Sequence, residues 1–554
     1  MDRRAFFRSG IASSPVPLAA PVVQAPPPNG GLAAFSGAWT EAEVIHLLKR
    51  TLFGATRQDV NYFLARTFQQ SVDEILAVPP APPAPPVKEY PITAADTNIA
   101  QGATWVDDPN TDGSVNSLRI ASFKKWWMGL MINQERSVRE KMTLFWHNHF
   151  ATETNVIGNA RFIYKHHALL RANALGNFKS LVKAVTLDPA MLVYLNGERN
   201  TKNAPDENYG RELQELFCCG KGPDSLYTED DVRAAAQVLT GWRNDPVTLT
   251  SFFDIKRHDT GNKKFSSFYN NTIIQGRNSP TAGDEEIDDM LTMIFATQEV
   301  AKYICRRLYR WFVYYDIDDT VEANIIVPLA NLLRTNNYEI LPVLNTLLKS
   351  EHFFDALAKG CLIKSPVELI VGACREFNVA FQPATDYVSN YGFYNYLANW
   401  SANMQQSIGD PPDVSGWKAY YQAPQFYETW INTDTLPKRN QFTDAMVSNG
   451  YTFNGKKISI DAAEFAKTLP NPGDPNALIN DITKIIYRLD ISAASKAQLK
   501  TDILLGGQAS DYYWTDAWNL FISNPTNLSN ATTVKNRLRD LLKYLMDLSE
   551  YQLA

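Results

Sequence analysis

One stretch constrains this chain more than any other. Residues 204–242, APDENYGRELQELFCCGKGPDSLYTEDDVRAAAQVLTGW, read as helix, glycine turn, helix. If the first helix spans 206–219, successive side chains advance by about 100°. Tyr209, Leu213, Leu216 and Phe217 then share a core-facing arc. Asn208, Glu212 and Glu215 lie on the arc beside it, with Arg211 next. Glu212 is nearest the apolar stripe. A carboxylate buried there needs a partner or a metal, or its pKa rises. Glu207, Arg211 and Glu215 also have the i,i+4 spacing of solvated ion pairs, the preferred reading for Glu207 and Glu215. For Glu212 both readings stand. Gly220 and Pro223 supply a left-handed stop. Thr228 and Asp231 have the spacing of a capping box for the second helix. The acidic run Glu229-Asp230-Asp231 suits that helix's positive end and needs no metal to explain it.

The same 3.6-residue periodicity recurs along the chain, and strand signals are scarce. The expected fold is mainly α, a multi-helix globular bundle with long loops and few or no short strands. Short strands are expected near Tyr451-Thr452-Phe453 and over 457–460. The 554 residues carry a net charge of −6, too mild for a general nucleic-acid binder. No uninterrupted apolar run is long enough to span a membrane. Arg3-Arg4 with Phe6-Phe7, then a mildly apolar stretch ending in small residues, has the pattern of a twin-arginine signal peptide over 1–25. A proline-rich spacer follows at 26–39, and the helical body occupies 40–554. It carries a proline-rich insert at 79–88 and possible sub-boundaries near 245–285 and 380–440. The five cysteines include no CxxC pair. One disulfide among Cys305, Cys361 and Cys374 remains open for an exported protein.

Histidines and aromatics supply the remaining candidates. In REKMTLFWHNHF, residues 139–150, Val138, Met142, Phe145, Trp146 and His149 fall on one helical face and His147 on the opposite one. The two histidines converge only if the helix ends before them. Ser137 and Glu140 have capping-box spacing. His258-Asp259, beside Gly261, offers a ligand or an oriented base in a polar loop. His46 and Arg50 lie i,i+4 on an early helix. Asn208, Trp242, Trp417 and Trp430 are further binding candidates, the last two in the aromatic segment 410–440, which suits filling a groove or lining a pocket.

These motifs together resemble the bacterial "domain of unknown function 1800" family. The carrying residues include His46-Leu47-Leu48-Lys49-Arg50, Trp146-His147-Asn148-His149-Phe150, Asn208-Tyr209-Gly210-Arg211-Glu212-Leu213, Tyr227-Thr228-Glu229-Asp230-Asp231, Leu239-Thr240-Gly241-Trp242, His258-Asp259 and Pro411-Pro412 with Gly416-Trp417. Many relatives have alanine where Gly210 stands and histidine where Asn173 stands. The resemblance implies an exported protein, periplasmic or at the cell surface. It also implies, by genetic neighbourhood, a sulfatase- or phosphatase-like exported partner and a surface polymer or glycan as context.

Two functions are in view. The first is a metal-dependent enzyme, hydrolytic or oxidative, acting on such a glycan. His147, His149, Glu212, Glu215 and His258 would hold zinc, iron, manganese or copper. Glu212, His258, Asp259 and Arg211 would carry the chemistry, or do acid–base work without a metal. The second is a non-catalytic glycan-binding or assembly protein using the aromatic segment. Neither a nucleotide-binding loop nor a serine-hydrolase elbow is present.

Overall fold

The computed structural model describes residues 31–77, 81–91 and 95–554. The expected signal segment therefore lies outside the described residues. The protein is mainly α, with helices joined by long loops. Three two-stranded antiparallel hairpins are present among the described residues: Trp242–Asp245 with Thr250–Phe253, Lys263–Lys264 with Ile273–Ile274, and Tyr451–Phe453 with Lys456–Ile458. The last is where short strands were expected. No helix among the described residues is long and apolar enough to cross a membrane, and all five cysteines are free.

The helix at the centre is Arg139–His149, buried along its whole length. A helix this polar can be enclosed only if its polar groups find partners. Lys141 pairs with Glu368. Glu140 accepts from Arg171 Nε at 2.8 Å. Asn148 Oδ1 accepts the Trp417 N–H at 2.9 Å. The capping box expected of Ser137 and Glu140 is not formed: Val138 holds the N-cap position without a side-chain cap, because Glu140 is turned to Arg171. The helix continues through His149, so His147 and His149 leave it on different sides.

Around this centre, Gly113–Ile132 packs along Tyr387–Asn403. At their crossing a Cβ on Gly129 would come 2.6 Å from the Tyr394 ring, so the close approach requires glycine. The proline-rich insert is anchored to the first of these helices, where Trp126 Nε1 donates to Ala84 O (2.8 Å) and Ser122 Oγ to Val87 O (2.9 Å).

The 204–242 region keeps its expected outline with one change. Asn208–Glu212 is α-helical, but Leu213–Cys218 is a π-helix. The wider turn shifts the register. Gln214 enters the core, where its Nε2 donates to Gly210 O (2.9 Å) and its Oε1 accepts from Tyr269 (2.8 Å). Leu216, expected in the core, is only partly buried. Gly220 has φ +77°, as the turn demands. Thr228 and Asp231 form the expected capping box.

Candidate active site

Just before the π-helix, Glu212 belongs to a cluster of acidic and tyrosine side chains from four separate segments, near enough for their charges to act on one another. Glu153 precedes the short helix Thr154–Ile157, and Tyr194 closes the helix Pro189–Tyr194. Glu212 closes Asn208–Glu212, and Asp413 lies in the loop after Pro411-Pro412. The loop is fixed by Asp410, which accepts from Thr154 N (2.9 Å) and Thr154 Oγ1 (2.6 Å) and pairs with Lys124. Gly416 follows with φ +92°. A Cβ there would come 2.4 Å from Asn148 Oδ1, so no other residue lets the loop lie against the central helix.

Within this cluster the Tyr194 hydroxyl donates to Glu153 Oε1 (3.2 Å), and the Tyr421 hydroxyl to Asp413 Oδ2 (2.7 Å). All five of these side chains are partly exposed. Burial, then the charges of Glu153, Asp413 and Glu212, push the Tyr194 phenol up. Burial and Asp413 push Tyr421 up to about 12. Glu212 is the outlier. Its Oε2 is enclosed and has no hydrogen-bond partner. Burial, then the negative charge of Glu215, raises its pKa to about 7. Lys221 and Arg211 oppose the rise, and Asp413 adds to it. A carboxyl group poised at this pH can give and take a proton under ordinary conditions.

The other candidate residues are distributed as follows. Glu215 pairs with Lys221. Arg211 is clasped by Glu229 (2.7 Å) and Glu207 (3.2 Å) on a solvated face, and Asn208 is exposed. His149 is buried with Nε2 3.0 Å from Phe217 O, and burial holds it neutral, well below its usual range. His147 leaves the helix toward Trp127 and Trp417, at ring separations of 5.0 and 5.7 Å. Burial, then His166, pushes its pKa down to about 3. His258 is fully buried elsewhere, with Nδ1 2.9 Å from Thr240 O and Nε2 3.2 Å from Glu286 Oε1. Asp259 caps its own turn through the Gly261 N–H at 2.7 Å. Trp242 is buried against Phe253, and His46 against Phe353 with Nε2 2.9 Å from its carbonyl. Among the described residues no group of three or more His, Cys, Asp or Glu side chains is arranged to hold a metal ion. Arg50 and Trp430, by contrast, line one cleft, with Trp417 behind it at the start of the same loop.

Sequence reasoning missed Glu153, Tyr194, Asp413 and Tyr421. Asp413 sits inside the recognised Pro411-Pro412…Gly416-Trp417 motif, and that was the available signal. Fold and site define a mainly helical protein with a carboxylate–tyrosine cluster beside a buried histidine-bearing helix. The chain belongs to the family described as "Protein of unknown function (DUF1800)", whose model matches residues 46–553. No curated protein and no solved structure matches it.

Proposed function

We propose that this protein is an exported hydrolase that cleaves a cell-surface or extracellular glycan by acid–base chemistry. Glu212 is the proton donor and Asp413 the opposing carboxylate. The observation that carries this reading is the half-buried Glu212, its inner oxygen without a hydrogen-bond partner and its pKa raised to about 7 by burial and the nearby charges of Glu215 and Asp413. Glycoside cleavage needs a carboxyl that keeps its proton, working with a second carboxylate. Glu212 protonates the departing glycosidic oxygen. Asp413, oriented by Tyr421, takes a proton from the attacking water or bonds to the sugar. Tyr194 bridges toward Glu153 and can bind a sugar hydroxyl.

The test is a screen of bacterial and extracellular polysaccharides for released reducing ends. Glu212→Gln and Asp413→Asn are run beside the wild type, with folding checked by circular dichroism. Each variant is expected to lose roughly 10²–10⁴-fold in turnover. Turnover unchanged in both overturns the assignment. Glycan binding with no cleavage by wild type supports the non-catalytic binder instead. Elemental analysis of untagged protein, with His149→Ala and Glu212→Ala alongside, tests the metal-dependent form of the enzyme.

A further inference from the structure

Away from the Glu212 cluster, a cleft lined by the aromatic loop carries two arginines. Its walls include Arg50, Arg310, Trp311, Tyr420, Tyr427 and Trp430. The rings form a chain: Trp311 and Tyr420 are 4.6 Å apart, Tyr420 and Trp430 5.8 Å. Tyr315 and Tyr427, both half-buried, stand 4.7 Å apart at the rim. The free space in the cleft is about 30 Å³. That is room for a few atoms, not for a ring.

Two guanidiniums line this space, and among the described residues neither has a carboxylate within ion-pair distance. Arg50 is 3% exposed. Its hydrogen bonds run from Nη2 to Val313 O (3.0 Å), Ala358 O (2.9 Å) and Cys361 Sγ (2.9 Å), while its Nε has no partner. Arg310 donates from Nε to Tyr315 O (3.0 Å) and lies 5.0 Å over the Phe426 ring. Neither makes an ion pair among the described residues. Glu368, also in the wall, pairs with Lys141, and the charge of Arg50 also acts on it without an ion pair being formed. Burial, then Arg307 and Arg306, push the Arg310 pKa down, so the site disfavours its own charge. Phe426, the ring beneath Arg310, has φ +32°, an unusual backbone for a bulky residue. A buried cation is ordinarily paired; Arg50 is buried and makes no ion pair among the described residues, and Arg310 beside it is partly exposed and equally without one.

We propose that this cleft binds a carboxylate carried on a ring, such as that of a uronic acid. The flat carboxylate enters between the guanidiniums, and the ring remains at the rim against Tyr315 and Tyr427. A planar anion suits both the narrow space and the guanidinium fork. The aromatic rim supplies the apolar face a sugar ring stacks on. This site is independent of the acid–base chemistry at Glu212.

The experiment is titration calorimetry of the full chain with D-glucuronate, and with D-glucose as the uncharged ring. Glucuronate is expected to bind saturably and to raise the melting temperature, and glucose to do neither. Arg310→Gln is expected to weaken glucuronate about tenfold or more, without lowering the melting temperature of the unliganded protein. Tyr427→Ala, at the half-buried rim, should weaken it less. Glu212→Gln should bind like wild type, which separates this site from the catalytic reading. No glucuronate binding by folded wild type, equal binding of glucose, or affinity unaffected by both Arg310→Gln and Tyr427→Ala overturns the proposal.

Discussion

Two glutamates in this protein show how differently a fold can hold the same carboxyl group. Glu286 is wholly enclosed, yet it has Lys263 Nζ at 2.6 Å, His258 Nε2 at 3.2 Å and the Arg277 N–H at 2.8 Å. Burial pushes its pKa up, but these donors outweigh burial and leave it below the ordinary range. Glu212 is less buried, yet it lacks donors on its inner oxygen and has Glu215 beside it, so its pKa rises to about 7. Donor supply, not depth, decides the outcome. The first arrangement clasps the hairpin Lys263–Lys264 and the His258 turn to the helix Ala282–Ala296. The second leaves a proton available on a partly exposed side chain.

If the contrast is right, removing each group has opposite consequences. Glu286→Ala leaves Lys263, at 0% exposure, without its counter-ion. A loss of about 3–5 kcal/mol in urea unfolding is expected. Pairing Glu286→Gln with Lys263→Met should recover part of it. A loss below about 1 kcal/mol would mean that the clasp is not a stabilising contact and that the comparison fails.

The parts legible in the sequence are those set by neighbouring residues. Thr228 and Asp231 stand three apart and cap as their spacing requires, and Gly220 turns left-handed because it has no Cβ to clash there. Glu207 and Arg211 pair at i,i+4. The π-helix was not legible. Its wide turn is held by distant partners such as Tyr269, which accepts Gln214 into the core, and a 100° wheel has no place for it. Ser137 and Glu140 had the local spacing of a box, but Arg171 competed successfully for Glu140. His258 looked like a free base in a polar loop because Glu286 and Thr240 reach it only through the fold. Asp413 was hidden for the same reason: its position depends on Asp410 gripping Thr154 and on Gly416 lying against Asn148. For Glu212 the wheel places it beside the apolar stripe, but whether it finds a donor there is a tertiary question.

A finer test perturbs the raised pKa without touching Glu212. Glu215 is the largest charge contribution to that rise, after burial. Glu215→Gln removes it. A general acid works while protonated, so turnover of a cleaved glycan should fall as pH rises above about 7 in the wild type. In Glu215→Gln this alkaline limb should move to lower pH, by less than about one unit because the cluster is partly solvated. An unmoved limb, with turnover otherwise intact, would remove Glu212 from the proton-donor role.

The smallest effect is the most direct, because it needs no substrate. The Glu212 pKa is raised from 4.5 to about 7 on folding. Below the lower value both folded and unfolded chains hold the proton. Between the two, the folded chain retains a proton that the unfolded chain releases, so stability falls as pH rises through this window and levels off above it. Glu212→Gln cannot release that proton. Its stability relative to wild type should therefore be level in acid, grow between these two pH values, and reach about 1 kcal/mol once discounted for solvent screening. Glu286→Gln should show the reverse: the wild-type advantage is present above the carboxyl's ordinary pKa and is lost in acid as the native Glu286 protonates. Parallel melting curves across pH for the two variants decide the matter. Slopes of the same sign would mean that the fold treats the two carboxyls alike, and the asymmetry on which the catalytic reading rests would be gone.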